Sequence, residues 1–386
     1  MKKILLLIVL LLIGIGGYFV YTNYFSTNKE NIEKDKDIDT VEEISDDLFG
    51  KYYGKATKLM KDMTLDEKVG QLFLVRYDGN LADTYIKKYN AGGFLLFARD
   101  FDGKTKTIIK NEIDSRQNNS KIPLAIGVDE EGGYVTRVSR FKQFRDEKFA
   151  SPKTYYETGG YTLVEQMENE KATLLKSLGI NLNLAPVADI STNPDDFMYI
   201  RSFGATSEET STFIKNMVGY AKNNNISSCL KHFPGYGNNL DTHTGVAIDT
   251  RSYETFTTSD YLPFIAGINE EVPFILVSHN IMTCVDNEYP SSLSNKVITG
   301  ELREKLKYSG IVITDDLDMD AVKAYAEGGN AATLAVNAGA DMIITSDFIN
   351  MYNEIITNVN NGIIKEDTID MAVKRIISWK KAYKIM

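Results

Sequence analysis

The sequence predicts an α/β fold, a single (β/α)8 TIM-type barrel preceded by an N-terminal transmembrane anchor and a charged stalk. Three observations carry this expectation. Eight short apolar runs lie at residues 70–75, 93–97, 124–128, 182–186, 227–232, 274–278, 311–315 and 342–345, and they are continuously apolar rather than alternating. Parallel strands covered outside by helices read this way. Segments of helical period fall between the later runs, at 161–178, 208–223, 295–307 and 321–337, and one at 368–383 follows the last. Finally, charged and polar residues collect just where the runs end, the end at which barrels of this kind build their sites. No repeat of fixed period is present, which argues against a solenoid.

In chain order, residues 1–24 open with Met-Lys-Lys and continue without a charge from Ile4 to Val20, followed by Tyr21 and Tyr24. A run of that length, with positive charge before it and aromatics after it, suits an anchor oriented from inside to outside. A cleaved signal peptide is the alternative. No small-x-small cleavage site follows the run and no cysteine stands there for a lipid, so an uncleaved anchor is favoured. Either way the remainder is expected outside the cytoplasm. Residues 25–48, rich in Lys, Asp and Glu, read as a solvated stalk, and 49–386 as the catalytic domain. Within it, Thr64-Leu-Asp-Glu67 fits a capping box and should begin a short helix.

The formal charge of -10 speaks against nucleic acid, which needs clustered positive charge. The 2 cysteines, Cys229 and Cys284, sit in apolar context and are expected as buried thiols, too few for a disulfide scaffold.

The ends of the runs hold the candidate chemistry. Asp129, Glu130 and Glu131 stand at the third, Asp189 at the fourth, Lys231 and His232 at the fifth, His279 at the sixth, Asp315 and Asp316 at the seventh, and Ser346 and Asp347 at the eighth. Any one of these is an ordinary loop polar, but a whole set at one end calls for a ligand. The stretch KHFPGYGNNLDTHTG, residues 231–245, concentrates two of the 3 histidines. Pro234, Gly235 and Gly237 end a strand there and open a loop on which Asp241 and His243 ride. At a two-residue spacing, Asp241 can hold the His243 imidazole in one tautomer and favour its cation. Carboxylates, an imidazole acid/base and a bed of hydrogen-bonding groups are the equipment for cleaving a glycosidic bond. A metal fits less well, since no H-x-H or H-x-x-x-H pair occurs and Lys231 would repel a cation. No cofactor is implied.

These residues resemble a known family. KHFPGYG followed by DTH, GVDEEGGYVTR (127–137), NLAPVADI (183–190), IRSFG (200–204), VSHNI (277–281), PSSLSNKVITGELREKL (290–306) and VITDDLDMDAV (312–322) are similar, in order, to glycoside hydrolase family 3 in its β-N-acetylhexosaminidase branch, over residues 62–382. The resemblance implies Asp315 as the nucleophile of a retaining reaction and His243 as a general acid/base on a mobile loop, oriented by Asp241. It implies that Asp129, Arg137, Arg201, Lys231 and His232 grip the first sugar, with the cations also keeping Asp315 ionised. Asp316 and Asp318 are expected in structural duty, and His279 as a residue that shapes the pocket.

The chain departs from the family pattern at Tyr236, where histidine is usual, at Tyr134, where arginine is common, and at Asp100, where asparagine is frequent. The expected substrate is a GlcNAc-ended oligosaccharide or cell-wall fragment, and the expected activity is that of an exo-acting β-N-acetylglucosaminidase. A sugar-binding protein of little turnover and a phosphorylase are the alternatives.

Overall fold

A computed structural model describes residues 45–386 apart from 240–244, 246, 324 and 327–329. The anchor, almost all of the stalk, Asp241 and His243 therefore lie outside the described residues. Among the described residues no helix is long and apolar enough to cross a membrane.

Eight strands close a parallel barrel. They are β1 (Phe73–Arg76), β2 (Gly93–Leu96), β3 (Ala125–Val128), β4 (Leu182–Asn183), β5 (Ser227–Phe233), β6 (Phe274–Val277), β7 (Ile311–Asp316) and β8 (Met342–Thr345). Each pairs with its neighbours in chain order, and β1 closes the ring on β8. All eight apolar runs thus became strands. The first was set too early, because Gly70 and Gln71 belong to the helix Leu65–Gln71. That helix starts at the expected capping box: Thr64 Oγ1 accepts from Glu67 N at 3.2 Å and Glu67 Oε2 accepts from Thr64 N at 3.0 Å.

The other helices follow the 3.6-residue pattern with local corrections. The segment expected at 161–178 begins earlier, as Pro152–Ser177, and bends at Gly159 and Gly160. Residues Lys296–Lys305 form a π-helix. The long helix expected at 321–337 is two, Asp320–Lys323 and Ala331–Ala338, with the sequence pair Gly328-Gly329 between them. The last helix runs Glu366–Ala382.

Strand side chains alternate between two layers, as the two-residue period requires. Phe73, Val75, Phe94, Leu96, Ile126, Val128, Leu230, Ile275, Val277, Val312 and Ile343 face outward to the helices. Leu74, Leu95, Ala125, Leu182, Cys229, Phe274, Leu276, Ile311, Ile313, Met342 and Ile344 fill the barrel, and Phe49, Tyr53, Ile376 and Trp379 close its floor. The Trp379 ring meets Phe274 edge-on at 4.7 Å, and its indole N–H donates to Ser227 Oγ at 2.8 Å. Cys229 is buried as expected, but Cys284 is exposed, because it follows the two-residue strand Ile281–Met282 rather than lying within an apolar one.

Candidate active site

The alternation that fills the barrel also selects what reaches its mouth. Two residues beyond interior Leu74 comes Arg76, beyond Leu95 comes Phe97, beyond Gly127 comes Asp129, beyond Cys229 comes Lys231, and beyond Ile313 comes Asp315. All five line one cavity of about 540 Å³ floored by Leu95, Leu184, Leu276 and Ile344. Register shifts add two neighbours that strict alternation would turn away. The β5 pairing slips between Leu230 and Phe233, so that His232 joins Lys231. The β8 pairing on β7 slips between Met342 and Ile344, so that Asp316 joins Asp315. Loop residues Glu131, Arg137 and Arg201 complete the polar wall, and Tyr134 and Ile200, 71% and 55% exposed, form an apolar rim.

Glu131 is the hub of this wall. Its Oε1 lies 2.7 Å from Lys231 Nζ and 2.7 Å from Arg201 Nη2, and its Oε2 accepts from Arg201 Nε at 3.1 Å. Burial alone would raise this carboxyl, but Lys231 and Arg201 outweigh burial and hold it well below the usual glutamate range. Lys231 is likewise buried, yet Asp129, at 2.8 Å, and Glu131 raise its pKa and keep it an ammonium. Arg137 reaches Asp129 at 3.6 Å. Among the described residues, the ion pairs of Lys231, Arg201 and Arg137 go to Asp129 and Glu131.

His232 Nδ1 lies 2.7 Å from Asp189 Oδ2, and the same oxygen accepts from the His232 backbone N–H at 3.1 Å. Asp189 Oδ1 accepts from Tyr236 N at 2.8 Å. His232 Nε2 lies 3.4 Å from Arg201 Nη2. The carboxylate therefore fixes the ring so that its other nitrogen is presented beside Arg201. Tyr236 is buried between Phe197 and His232, with ring centroids 6.0 and 5.4 Å away.

Across the mouth, Asp315 Oδ1 accepts from Asp316 N at 2.8 Å. Asp316 lies 3.3 Å from Arg76, whose guanidinium stacks on Phe97 at 4.5 Å. Asp318 has the structural duty expected of it: its Oδ2 accepts from Thr345 Oγ1 (3.0 Å), Ser346 Oγ (2.6 Å) and Asp347 N (3.1 Å), tying the loop after β7 to the end of β8. His279 is fully buried, with Nδ1 2.6 Å from Ser292 Oγ and Nε2 2.9 Å from Asp316 O, so it shapes the loop under the cavity. Asp100 Oδ2 accepts from Phe97 N at 2.7 Å and caps the helix Ala98–Phe101.

Six of the eight candidate residues, Asp129, Arg137, Arg201, Lys231, His232 and Asp315, thus line a single cavity. Asp241 and His243 lie outside the described residues. Glu131 and Asp189 stand among the strand-end carboxylates noted in the sequence but carry no assigned role there, and Arg76 and Phe97 are not singled out by the sequence. The two-residue step from Leu74 and Leu95 was the available signal for Arg76 and Phe97. A mouth of fixed cations, carboxylates and an imidazole over an apolar floor, at the strand ends of a barrel, is an arrangement suited to a small polar ligand.

Residues 64–379 match the model of the glycosyl hydrolase family 3 N-terminal domain, and the chain belongs to that family. Beta-hexosaminidase A of Pseudoalteromonas piscicida is 29% identical over 276 residues, covering 67% of this chain and 46% of the relative. This chain therefore spans about half the length of that relative. A beta-hexosaminidase of Methylobacillus flagellatus is 26% identical over 279 residues, covering 69% of this chain and 77% of the relative. Among solved structures, a family 3 β-N-acetylglucosaminidase from a Paenibacillus species superposes with a TM-score of 0.78 at 28% identity, covering 84% of this chain and 63% of that one.

Proposed function

We propose that this chain is a retaining exo-β-N-acetylglucosaminidase that releases terminal non-reducing β-GlcNAc through a covalent glycosyl-aspartate intermediate. The observation that carries the reading is the single cavity that unites Asp315 with the Asp129, Glu131, Lys231, Arg201 and His232 cluster. The names of the relatives support the sugar. In this reading Asp129, Arg137, Arg201, Lys231 and His232 hold the ring hydroxyls and acetamido group of one sugar. The Asp315 carboxylate attacks the anomeric carbon as the bond to the leaving oxygen breaks, and that oxygen takes a proton from His243, held by Asp241. Water then loses a proton to His243 and attacks the same carbon, freeing Asp315 and retaining configuration.

The test is Asp315→Asn against an aryl β-GlcNAc, with the product anomer followed by NMR and free sugar distinguished from sugar phosphate in phosphate buffer. Loss of turnover in the variant, and a β-configured free sugar from the unmodified chain, are expected. Full activity in the variant or an inverted product refutes the reading. Peptidoglycan-derived muropeptides are the natural substrate class we favour, with the protein held outside the cell membrane by residues 1–24. The apolar N-terminal run supports that placement. Recovery of the full chain in a salt-washed membrane fraction tests it.

A further inference from the structure

Arg76 ends β1, and in the closed ring only β8 separates it from β7, the strand that ends in Asp315 and Asp316. All three side chains line the cavity. The Arg76 guanidinium lies over the Phe97 ring, 4.5 Å from its centroid, and its Nη1 reaches Asp316 Oδ2 at 3.3 Å. The ring is itself anchored. Phe97 N donates to Asp100 Oδ2 at 2.7 Å where the helix Ala98–Phe101 begins, and Arg137 covers the ring at 5.6 Å. An aromatic ring fixed through its own backbone thus aims a cation at Asp316.

Asp316 is held from two further sides. Its Oδ1 accepts from Asp318 N at 3.1 Å, and its carbonyl oxygen lies 2.9 Å from His279 Nε2. Regular strand pairing does not supply this grip, since the register of β8 on β7 slips between Met342 and Ile344, beside Asp316. What Asp316 passes on is its backbone N–H, which donates to Asp315 Oδ1 at 2.8 Å and sets the plane of that carboxylate. Charge points the same way. Burial above all raises Asp316, the Asp318 and Asp315 carboxylates add to it, and the Asp318 N–H and Arg76 oppose them. Arg76 therefore offsets the repulsion between carboxylates crowded at the end of β7.

We propose that Arg76, braced on Phe97, is a positioning residue that acts through Asp316 to aim the Asp315 carboxylate at the anomeric carbon. The inference rests on the reading above, in which Asp315 is the nucleophile. Attack needs the carboxylate at near-attack distance and direction, so a small rotation is costly. The step served is attack rather than protonation of the leaving group, and its loss falls on good and poor leaving groups alike.

The experiment compares the unmodified full chain with Arg76→Met, Arg76→Lys, Phe97→Leu, Asp316→Asn and the double variant Arg76→Met/Asp316→Asn on an aryl β-GlcNAc and on N,N′-diacetylchitobiose. Arg76→Met should lower kcat/KM about tenfold to a hundredfold on both substrates while inhibition by free GlcNAc stays within about twofold. The acid limb of its pH profile should move upward by about one pH unit, because a cation that favoured the ionised carboxylates is gone. Arg76→Lys, which keeps the charge but not the planar stack, should lose less. If Arg76 acts through Asp316, the double variant should lose no more than about twofold beyond Asp316→Asn alone. Thermal melting identifies any variant that fails to fold, and Phe97→Leu, which keeps both charged groups and removes only the brace, then decides with a loss of about three- to tenfold. A folded Arg76→Met or Phe97→Leu with kcat/KM within about twofold of the unmodified chain, a loss confined to GlcNAc binding, an unmoved acid limb, or losses that multiply in the double variant overturn the proposal. Asp315→Asn and the product anomer test the activity reading separately.

Discussion

Glu131→Gln isolates the hub of the site. The carboxylate is 5% exposed and meets Lys231 and Arg201 in contacts of 2.7, 2.7 and 3.1 Å. Glutamine keeps the shape and one acceptor oxygen but removes the charge, and Asp129, 2.8 Å from Lys231, becomes the nearest remaining counter-charge of that lysine. Removing one partner of a buried ion pair costs about 3–5 kcal/mol, and the retained acceptor and Asp129 place this change at the lower end, about 3 kcal/mol. That is a large share of a total stability of about 5–15 kcal/mol.

The pH dependence has a definite sign. Because the folded carboxyl lies below its ordinary value of 4.5, its contribution is complete above that pH and is lost as pH falls through the acid range. Each pH unit below that value removes about 1.4 kcal/mol, so about 2 kcal/mol of the difference should be gone by about pH 3. Trp379, the 1 tryptophan of the chain, lies fully buried at the barrel floor and reports unfolding by fluorescence in urea. A difference between wild type and variant under about 1 kcal/mol at neutral pH, or one that does not narrow on acidification, refutes the reasoning.

Other expectations follow from charges and contacts elsewhere. Lys380 is fully buried, donating to Gln71 Oε1 at 2.8 Å and Gly92 O at 3.1 Å, and burial pushes it down to about 7 from 10.5. The unfolded chain binds that proton more readily over this interval, so stability should rise with pH from about 7 upward, and Lys380→Met should flatten the rise in urea titrations. Burial, reinforced by the Asp318 and Asp315 carboxylates, raises Asp316 to about 7, and the Asp318 N–H and Arg76 only partly offset it. Ionising it therefore costs the folded state: melting temperature should decline between pH 3.8 and about 7, and Asp316→Asn should remove that decline. Tyr134→Ala at the rim should raise KM for diacetylchitobiose about two- to tenfold through lost stacking while leaving inhibition by free GlcNAc unchanged.

The barrel was legible because its strands are buried on both faces, and eight uninterrupted apolar runs mark it without any need for pairing information. The cluster at the mouth was legible only in part. Sequence order puts Asp129 beside Glu131 and Lys231 beside His232. It does not show that Glu131 meets Arg201, 70 positions along the chain, or that Asp189 meets His232, 43 positions along. The histidine–carboxylate pair found among the described residues is accordingly His232 with Asp189, whereas reading along the chain pointed to His243 with Asp241. Arg76 lies one residue past the apolar run 70–75, because a charged side chain at the strand's end breaks the apolar pattern while the strand itself continues through it, as Phe73–Arg76.

On the proposed reading, the order of strands constrains how a sugar would lie in the cavity. In an eight-strand ring in chain order, β7 stands opposite β3, and β5 lies midway between them. Asp315 therefore approaches from the side facing Asp129, with Lys231 and His232 on the wall between. If Asp315 is the nucleophile proposed above, a pyranose spanning this mouth with its anomeric carbon there would turn the far edge of its ring toward Asp129, Glu131 and Arg201. The groups on that edge keep their charge through attack at the anomeric carbon, so contacts there bind ground state and transition state alike. The rigid cross-linking of Glu131, Lys231 and Arg201 is what fits that role, since donors already held by ion pairs need not be ordered when the sugar arrives. Loosening the hub should accordingly appear first in KM, and loss of Asp315 in kcat.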